Sequence, residues 1–299
     1  MGLFTRLVLA VLPSVPKPIL RRVAARYIAG ETLEEALARC AELGRRGHAS
    51  VLDVLGEAIA DEPAARAVAK AYCDAATQLA ARKLDAYVSV KPTHVGLSIR
   101  EDLAFELYSK VAAHCAPLGI FVRVEMEDHP TKDGTLRVFE RLRQAHPNVG
   151  IVLQSRLFCT KDDIARLAPG PLDVRLVKGI YLEPASIAHT EPEPIRVAYL
   201  ECLELLCARG ATLSLASHDD GLVERCLPIL RRHGYGKERY ELQTLLGVRE
   251  EWWERWKAAG HRVRVYVPYG PEWRPYSLRR MRKNPQIVGH VMRQMLRLS

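Results

Sequence analysis

The sequence predicts an α/β protein whose main domain is a (βα)8 barrel of the TIM type. Three observations lead to this fold class. Short apolar runs recur eight times along the 299 residues, helical stretches separate them, and most runs are continuously apolar instead of alternating. Continuous apolar strands belong to parallel sheets that are covered on both faces. Eight β–α units in succession are typical of a barrel whose active site lies at the carboxyl ends of its strands.

The predicted elements follow one another in the order that this fold requires. Strands are predicted at Ser50–Leu55, Ala86–Val90, Ile120–Glu125, Val149–Gln154, Leu172–Val177, Ala211–Ala216, Tyr240–Leu245 and Arg262–Val267. Apolar residues at three- and four-residue spacing predict intervening helices at Glu62–Arg82, Arg100–Ala116, Thr135–Ala145, Pro194–Arg209 and Asp220–His233. Residues 1–45, with the helical pattern Thr32–Leu43, are expected to form an N-terminal arm, and residues 46–299 the barrel. An open doubly wound sheet fits less well, because no G-x-G-x-x-G motif follows the first strand.

Composition and charge narrow the possible functions. Hydrophobic residues make up 48% and charged residues 26% of the chain, which argues against extended disorder and a coiled coil. The net charge of +9 indicates an anionic partner, such as an acidic substrate, a phosphate-bearing cofactor or an anionic membrane. Nucleic acid is not expected as a partner, because the basic residues are spread along the chain without a recognition module.

The cysteines and the N-terminal segment indicate a cytoplasmic protein without a metal site. Seven cysteines are scattered through the chain with no C-x-x-C pair, which fits a reduced compartment and predicts neither a zinc nor a redox site. The apolar run 7–12 is too short to span a bilayer, and prolines follow it at once. We therefore predict neither a signal peptide nor a transmembrane helix.

Polar residues follow the strands at the place where a barrel carries its active site. They are Lys91 after strand two, Glu125 to Asp128 after strand three, Gln154, Arg175 with Lys178, Ser217 to Asp219, Gln243 and Tyr266. Together they describe a site for an anionic substrate and an anionic cofactor. The lysines could be surface residues, Schiff-base nucleophiles, or partners of a phosphate or carboxylate. The adjacent Arg279 and Arg280 are either a surface pair or two donors for one carboxylate.

Four motifs occur in the order of a known family. They are Arg175-Leu-Val-Lys178-Gly179-Ile-Tyr181, Ala216-Ser217-His218-Asp219, Tyr266-Val-Pro-Tyr-Gly270, and Tyr276-x-x-Arg279-Arg280-x-x-x-Asn284. Together they closely resemble the proline dehydrogenase family, the flavoenzymes of proline catabolism, and the similarity extends from about Tyr27 to the last helix. The resemblance implies a distorted (βα)8 barrel that binds FAD at the carboxyl ends of its strands, with the last helix over the barrel mouth.

The resemblance also implies roles for individual residues. Arg279 and Arg280 would hold the proline carboxylate together with Lys91, while Tyr266 and Tyr276 would enclose the ring. The catalytic residues would be Glu125 and Arg175, with Arg175 beside the flavin N5. The expected FAD contacts are Met126, Gln154, Arg175, Lys178, Gly179, Ile180, Ser217, His218 and Leu245.

The implied reaction is the oxidation of L-proline to 1-pyrroline-5-carboxylate by hydride transfer to FAD. The electrons would pass to a quinone, which would favour peripheral contact with the inner face of the membrane. A separate pyrroline-5-carboxylate dehydrogenase would then consume the product.

The sequence departs from the family pattern at three places, and two other functions stay open. Glu125 stands where the family usually has aspartate, Lys283 precedes Asn284 where an acidic residue is usual, and Ser155-Arg156 replaces Ala-Tyr. One alternative is therefore a degenerate flavin-binding barrel with weak or altered activity. The other is a Schiff-base lyase or aldolase that uses one of the two lysines at the barrel mouth.

Overall fold

Eight parallel strands close into a barrel in which each strand pairs with its sequence neighbours and β8 pairs with β1. The structure is a computed structural model that describes residue 21 and residues 24–274, 276 and 277. The strands are β1 (Ala49–Val54), β2 (Ala86–Val90), β3 (Val122–Val124), β4 (Val149–Gln154), β5 (Asp173–Val177), β6 (Thr212–Ala216), β7 (Tyr240–Leu245) and β8 (Val263–Tyr269). The predicted fold class is confirmed.

Helices connect the strands and form the outer layer of the barrel. Within the described residues they are α1 (Leu33–Arg45), α2 (Glu62–Ala81), α3 (Glu101–Cys115), α4 (His129–Ala145), α5 (Thr160–Arg166), α6 (Pro192–Ala208), α7 (Asp220–Arg232) and α8 (Glu250–Ala258). Short 3-10 turns occur at Pro92–Val95, Ala116–Leu118 and Lys237–Arg239. The helix that was predicted to lie over the barrel mouth falls outside the described residues.

The observed elements differ from the predicted ones mainly at their ends. Strands β2, β4 and β7 have the predicted bounds, whereas β3 is shorter and β8 continues to Tyr269. The sequence pattern missed α5 and α8. Helix α8 is hard to predict because its buried residues are Trp253 and Trp256, within a short and otherwise largely charged segment.

Helix α1 packs on the outside of the barrel where β8 meets β1. It begins with a capping box, in which Glu35 N donates to Thr32 Oγ1 at 3.3 Å and Thr32 N donates to Glu35 Oε2 at 2.9 Å. Its buried side chains include Leu37 and Leu43. The helix therefore covers the seam at which the barrel closes, and the predicted division into an arm of residues 1–45 and a barrel of residues 46–299 stays a prediction.

The interior of the barrel contains buried ion pairs as well as apolar side chains. Arg123 Nη2 lies 2.6 Å from Asp173 Oδ1, and Arg264 Nε lies 2.9 Å from Glu241 Oε1. A Cβ atom at Gly150 would lie 2.5 Å from Arg123 Nη1, so glycine is required there to make room for the guanidinium. Charged groups thus fill part of the space under the barrel mouth, and each is paired, as buried charges must be.

The described part of the chain has no helix that is long and apolar enough to cross a bilayer. The apolar run 7–12, which is too short to span a bilayer, lies outside the described residues.

Candidate active site

A buried ion pair joins the carboxyl ends of β1 and β2. The ammonium of Lys91, directly after β2, lies 2.8 Å from both carboxylate oxygens of Asp53 in β1. Only 1% of Asp53 and 9% of Lys91 is exposed. Burial opposes the charge on Lys91, but the adjacent Asp53 carboxylate outweighs it and raises the pKa of the lysine. Lys91 therefore carries a positive charge at the mouth before any ligand binds.

Sequence reasoning missed Asp53. The residue lies within an apolar run, and this run by itself predicts only a strand interior. A carboxylate in a buried strand does give a signal, because such a group needs a cationic or hydrogen-bonding partner inside the protein. What the sequence does not indicate is that the partner is Lys91, 38 positions further along the chain.

A second ion pair, between Glu125 and Arg175, crosses the barrel mouth. Arg175 Nη1 donates to Glu125 Oε1 at 2.5 Å, Ser89 Oγ donates to the same oxygen at 2.5 Å, and Tyr266 OH does so at 3.2 Å. Burial would keep Glu125 neutral, but Arg175 foremost, with Ser89 and Lys91, lowers its pKa below the usual value. The carboxylate is thus ionised and fixes the arginine.

Shortening Glu125 to aspartate is expected to lower activity, although the family that the sequence motifs resemble usually has the shorter acid at this place. All three hydrogen bonds end on Oε1, and the loss of one methylene withdraws the carboxylate by about 1.5 Å. We expect kcat of Glu125→Asp to fall about tenfold, because the charged hydrogen bond from Arg175 becomes weaker. Steady-state kinetics against Glu140→Asp, in α4, check this. A higher kcat in Glu125→Asp would show instead that the longer acid is a handicap.

Within the described residues, the contacts of the Arg175 guanidinium leave its Nε–H without an acceptor. Its Nη2 donates to Tyr87 OH at 3.2 Å, and its Cζ lies 5.3 Å from the centroid of the Tyr266 ring. Its Nε is buried and finds no hydrogen-bond acceptor among the residues that the structure describes. A buried, unpaired N–H is costly, so this atom is a candidate donor to a bound ligand.

Glu127 fastens the loops that surround Lys91. Its carboxylate accepts hydrogen bonds from Thr93 N and Thr93 Oγ1, both at 2.8 Å, and Thr93 Oγ1 in turn accepts one from Ala58 N at 2.8 Å. Gln154 Nε2 donates to the carbonyl of Glu127 at 2.8 Å. The ends of β2, β3 and β4 and the loop after β1 are therefore linked, which gives the mouth a fixed shape.

Two cations meet one carboxylate at the rim between β5 and β6. Lys178 Nζ and Arg196 Nε both donate to Asp219 Oδ2, the latter at 2.7 Å. Asp219 is also the N-cap of α7, where its Oδ1 accepts from Leu222 N at 3.2 Å. Burial raises the pKa of Asp219, but Lys178 and Arg196 outweigh it and lower the pKa to about 2. The cluster is suited to an anionic ligand, because its cations are already aligned.

The turn after β5 brings its backbone close to Gln154. Gly179 has a φ of 101°, and a Cβ there would lie 2.8 Å from Gln154 Oε1 and 2.7 Å from Arg156 Cδ. Only glycine fits this conformation and this space. The adjacent Ile180 is 59% exposed, so its apolar side chain is accessible at the rim.

His218 lies on the rim between β6 and β7 with its Nδ1 3.3 Å from Thr244 Oγ1. Thr244 Oγ1 also accepts from Trp253 Nε1 at 2.9 Å, a contact made by a helix that the sequence pattern missed. Ser217 Oγ accepts from Asp219 N at 3.1 Å.

The structure brings some of the predicted site residues into direct contact and leaves others apart. Glu125, Arg175 and Tyr266 are hydrogen bonded, and Lys91 is close enough to lower the pKa of Glu125. Apart from Arg175, the predicted FAD contacts lie at the ends of β3 to β7. They are Met126, Gln154, Lys178, Gly179, Ile180, Ser217, His218 and Leu245. Tyr276 is described and half-buried. Arg279, Arg280, Lys283 and Asn284 lie outside the described residues.

Known proteins resemble this chain in both sequence and structure. The sequence family described as proline dehydrogenase matches residues 36–293. Proline dehydrogenase from Deinococcus radiodurans is 34% identical over 284 residues, 92% of this chain and 90% of that protein. Proline dehydrogenase 1 from Bacillus subtilis strain 168 is 30% identical over 274 residues, 92% of this chain and 91% of that protein.

A solved structure of proline utilization A from Bdellovibrio bacteriovorus, inactivated by N-propargylglycine, shares the fold. It matches with a TM-score of 0.83 and 24% sequence identity, over 92% of this chain. This chain spans only 36% of that longer protein, so the similarity concerns the barrel. Because the family match and the relatives cover most of its length, the chain belongs to the proline dehydrogenase family, the oxidoreductases of proline catabolism.

Proposed function

We propose that the chain oxidises L-proline to 1-pyrroline-5-carboxylate with FAD as its cofactor and a quinone as the electron acceptor. The observation that carries the proposal is the buried Arg175, which Glu125 fixes and whose Nε–H has no acceptor among the described residues. FAD, when bound, supplies the acceptor for the hydride that leaves Cδ of proline. Arg175 places a fixed positive charge where negative charge develops in the reaction.

The rim between β4 and β7 supports the assignment of the cofactor. Lys178 and Arg196 can exchange part of their contact with Asp219 for phosphate oxygens, and Gly179 allows the backbone to approach a ligand closely. We assign FAD contacts to Met126, Gln154, Arg175, Lys178, Gly179, Ile180, Ser217, His218 and Leu245.

The substrate carboxylate is assigned to Lys91, Arg279 and Arg280, with Tyr266 and Tyr276 beside the ring. Asp53 keeps Lys91 charged and in place, so this cation needs little reorganisation when proline arrives. Tyr266 donates to Glu125 and thereby links the wall of the substrate site to Arg175. The two C-terminal arginines lie outside the described residues, and their roles stay predictions.

The Schiff-base alternative is less well supported by the contacts of the lysines. A nucleophilic lysine needs a lowered pKa, so that its amine is neutral. Lys91 is instead paired with Asp53 and has a raised pKa, and Lys178 is paired with Asp219.

The purified protein is expected to be yellow and to bleach when L-proline is added without oxygen. The visible spectrum measures both properties, and a later addition of quinone should restore the oxidised spectrum. A colourless protein that cannot be loaded with FAD would overturn the proposal. A yellow protein that does not bleach would identify the degenerate flavoprotein instead, and borohydride trapping of a substrate on lysine would identify the lyase.

A further inference from the structure

Beneath Arg175, the barrel interior contains a hydrogen-bonded series of side chains that the proposed function does not use. The phenol oxygen of Tyr87, in β2, accepts from Arg175 Nη2 at 3.2 Å and from Gln243 Nε2, in β7, at 2.7 Å. Tyr87 is 6% exposed and Gln243 is 2% exposed. A tyrosine on one side of the barrel and an amide on another therefore meet under the guanidinium.

The series is anchored deeper in the barrel by an ion pair. Gln243 Nε2 also donates to Glu241 Oε1 at 2.6 Å, and this carboxylate accepts from Arg264 Nε at 2.9 Å. An amide nitrogen has two donor hydrogens, and here one is directed to Glu241 and one to Tyr87. The carboxylate thus fixes the orientation of the amide, and the amide fixes the phenol oxygen.

The contacts of Arg175 show why Tyr87 matters for its orientation. Glu125 and Ser89 both contact Nη1, so they restrain one of the two terminal nitrogens of the planar guanidinium. Tyr87 restrains the other terminal nitrogen, Nη2. When both terminal nitrogens are restrained, the plane of the guanidinium is fixed, and with it the direction of the Nε–H.

We propose that Tyr87, held by Gln243, is a positioning residue that fixes the guanidinium plane of Arg175 so that its Nε–H can donate to the bound flavin. This inference rests on the proposed function for the identity of that ligand. The fixation of Arg175 is a property of the protein itself and can be tested without the ligand. Tyr87 is not assigned any contact with the substrate.

The Tyr87→Phe variant tests the effect on the flavin. We expect flavin reduction by proline to slow about tenfold, as for the loss of one hydrogen bond to a charged group. The midpoint potential of the flavin should become more negative, because a less well-placed cation stabilises the reduced form less. The KM for proline and the flavin content should stay within twofold of the wild type.

Two further variants keep this test specific. Tyr235→Phe is the matched control, because Tyr235 OH is also buried but donates to the carbonyl of Ala211, before the start of β6. It should leave the potential unchanged. Gln243→Leu should reproduce the effect of Tyr87→Phe, and the double variant should be no worse than either single one. Wild-type rates and potentials in both folded single variants would overturn the proposal.

The NMR signals of the Arg175 side chain separate this proposal from the proposed function. In the purified wild-type protein, restricted rotation should give distinct signals for the two Nη groups, identified by their loss in Arg175→Lys. In Tyr87→Phe they should merge. Distinct signals in both proteins would contradict the positioning role, even if the flavin reaction is confirmed. If the wild type neither binds flavin nor oxidises proline, the proposed function fails, while these signals still decide whether Tyr87 fixes Arg175.

Discussion

Replacement of Lys91 by methionine is expected to raise the KM for proline about a hundredfold. The proposed role of Lys91 is to bind the substrate carboxylate, and the loss of a desolvated charge pair of this kind has an effect of this size. The flavin content should change little, because the lysine is assigned to the substrate and not to the cofactor. Steady-state kinetics together with the flavin absorbance per protein check both expectations.

The same substitution also leaves Asp53 buried without its cation, so its structural effect needs to be separated from the binding effect. Breaking a buried ion pair costs about 3–5 kcal/mol of stability. Burial then raises the pKa of Asp53 without the opposing attraction of Lys91. In the double variant Asp53→Asn/Lys91→Met both charges are gone, so we expect most of the stability to return while the KM stays high.

A second buried pair provides the matched control for Lys91. Lys132 Nζ lies 3.0 Å from Asp163 Oδ2, between α4 and α5, and both side chains are almost fully buried. Lys132→Met should lower the free energy of unfolding while the KM for proline stays at the wild-type value. A KM in Lys91→Met no higher than in this control would show that Lys91 serves only as the partner of Asp53.

The repeating part of this fold could be predicted from the sequence because it depends on local patterns. Strands such as β2 and β4 are short apolar runs, and a run of β-branched residues indicates a strand wherever it ends up in the fold. The place of the site followed from the barrel itself, since side chains after successive parallel strands meet at one end. Lys91, Glu125 and Arg175 were found in this way, and their roles stay predictions.

Partners across the barrel could not be predicted in this way. Tyr87 and Gln243 are 156 positions apart, and their contact depends on how the closed barrel brings β2 and β7 face to face. Asp53 was missed for a related reason, because its role depends on Lys91, directly after the next strand. Periodicity shows which face a side chain takes, whereas the pairing of charges depends on the closed three-dimensional arrangement.

Replacement of Arg175 by lysine is expected to slow flavin reduction by proline at least a hundredfold, the largest effect on the chemical step that we predict. Lysine keeps the charge but lacks the planar set of donors that now contacts Glu125, Ser89 and Tyr87. Loss of a fixed donor that stabilises developing charge typically costs about 10²–10³ in rate. Stopped-flow reduction without oxygen measures the step directly.

The control for Arg175 is Arg123, another buried arginine of the barrel interior. Arg123 pairs with Asp173 at 2.6 Å and donates to the carbonyl of Ile151 at 3.3 Å. Arg123→Lys keeps a charge inside the barrel and loses the same planar group, so it should lower stability as Arg175→Lys does. If both variants slow flavin reduction equally, the effect comes from the altered barrel interior. A slower rate in Arg175→Lys alone, with a more negative flavin potential, would mean that this guanidinium acts on the flavin, because both variants keep the positive charge.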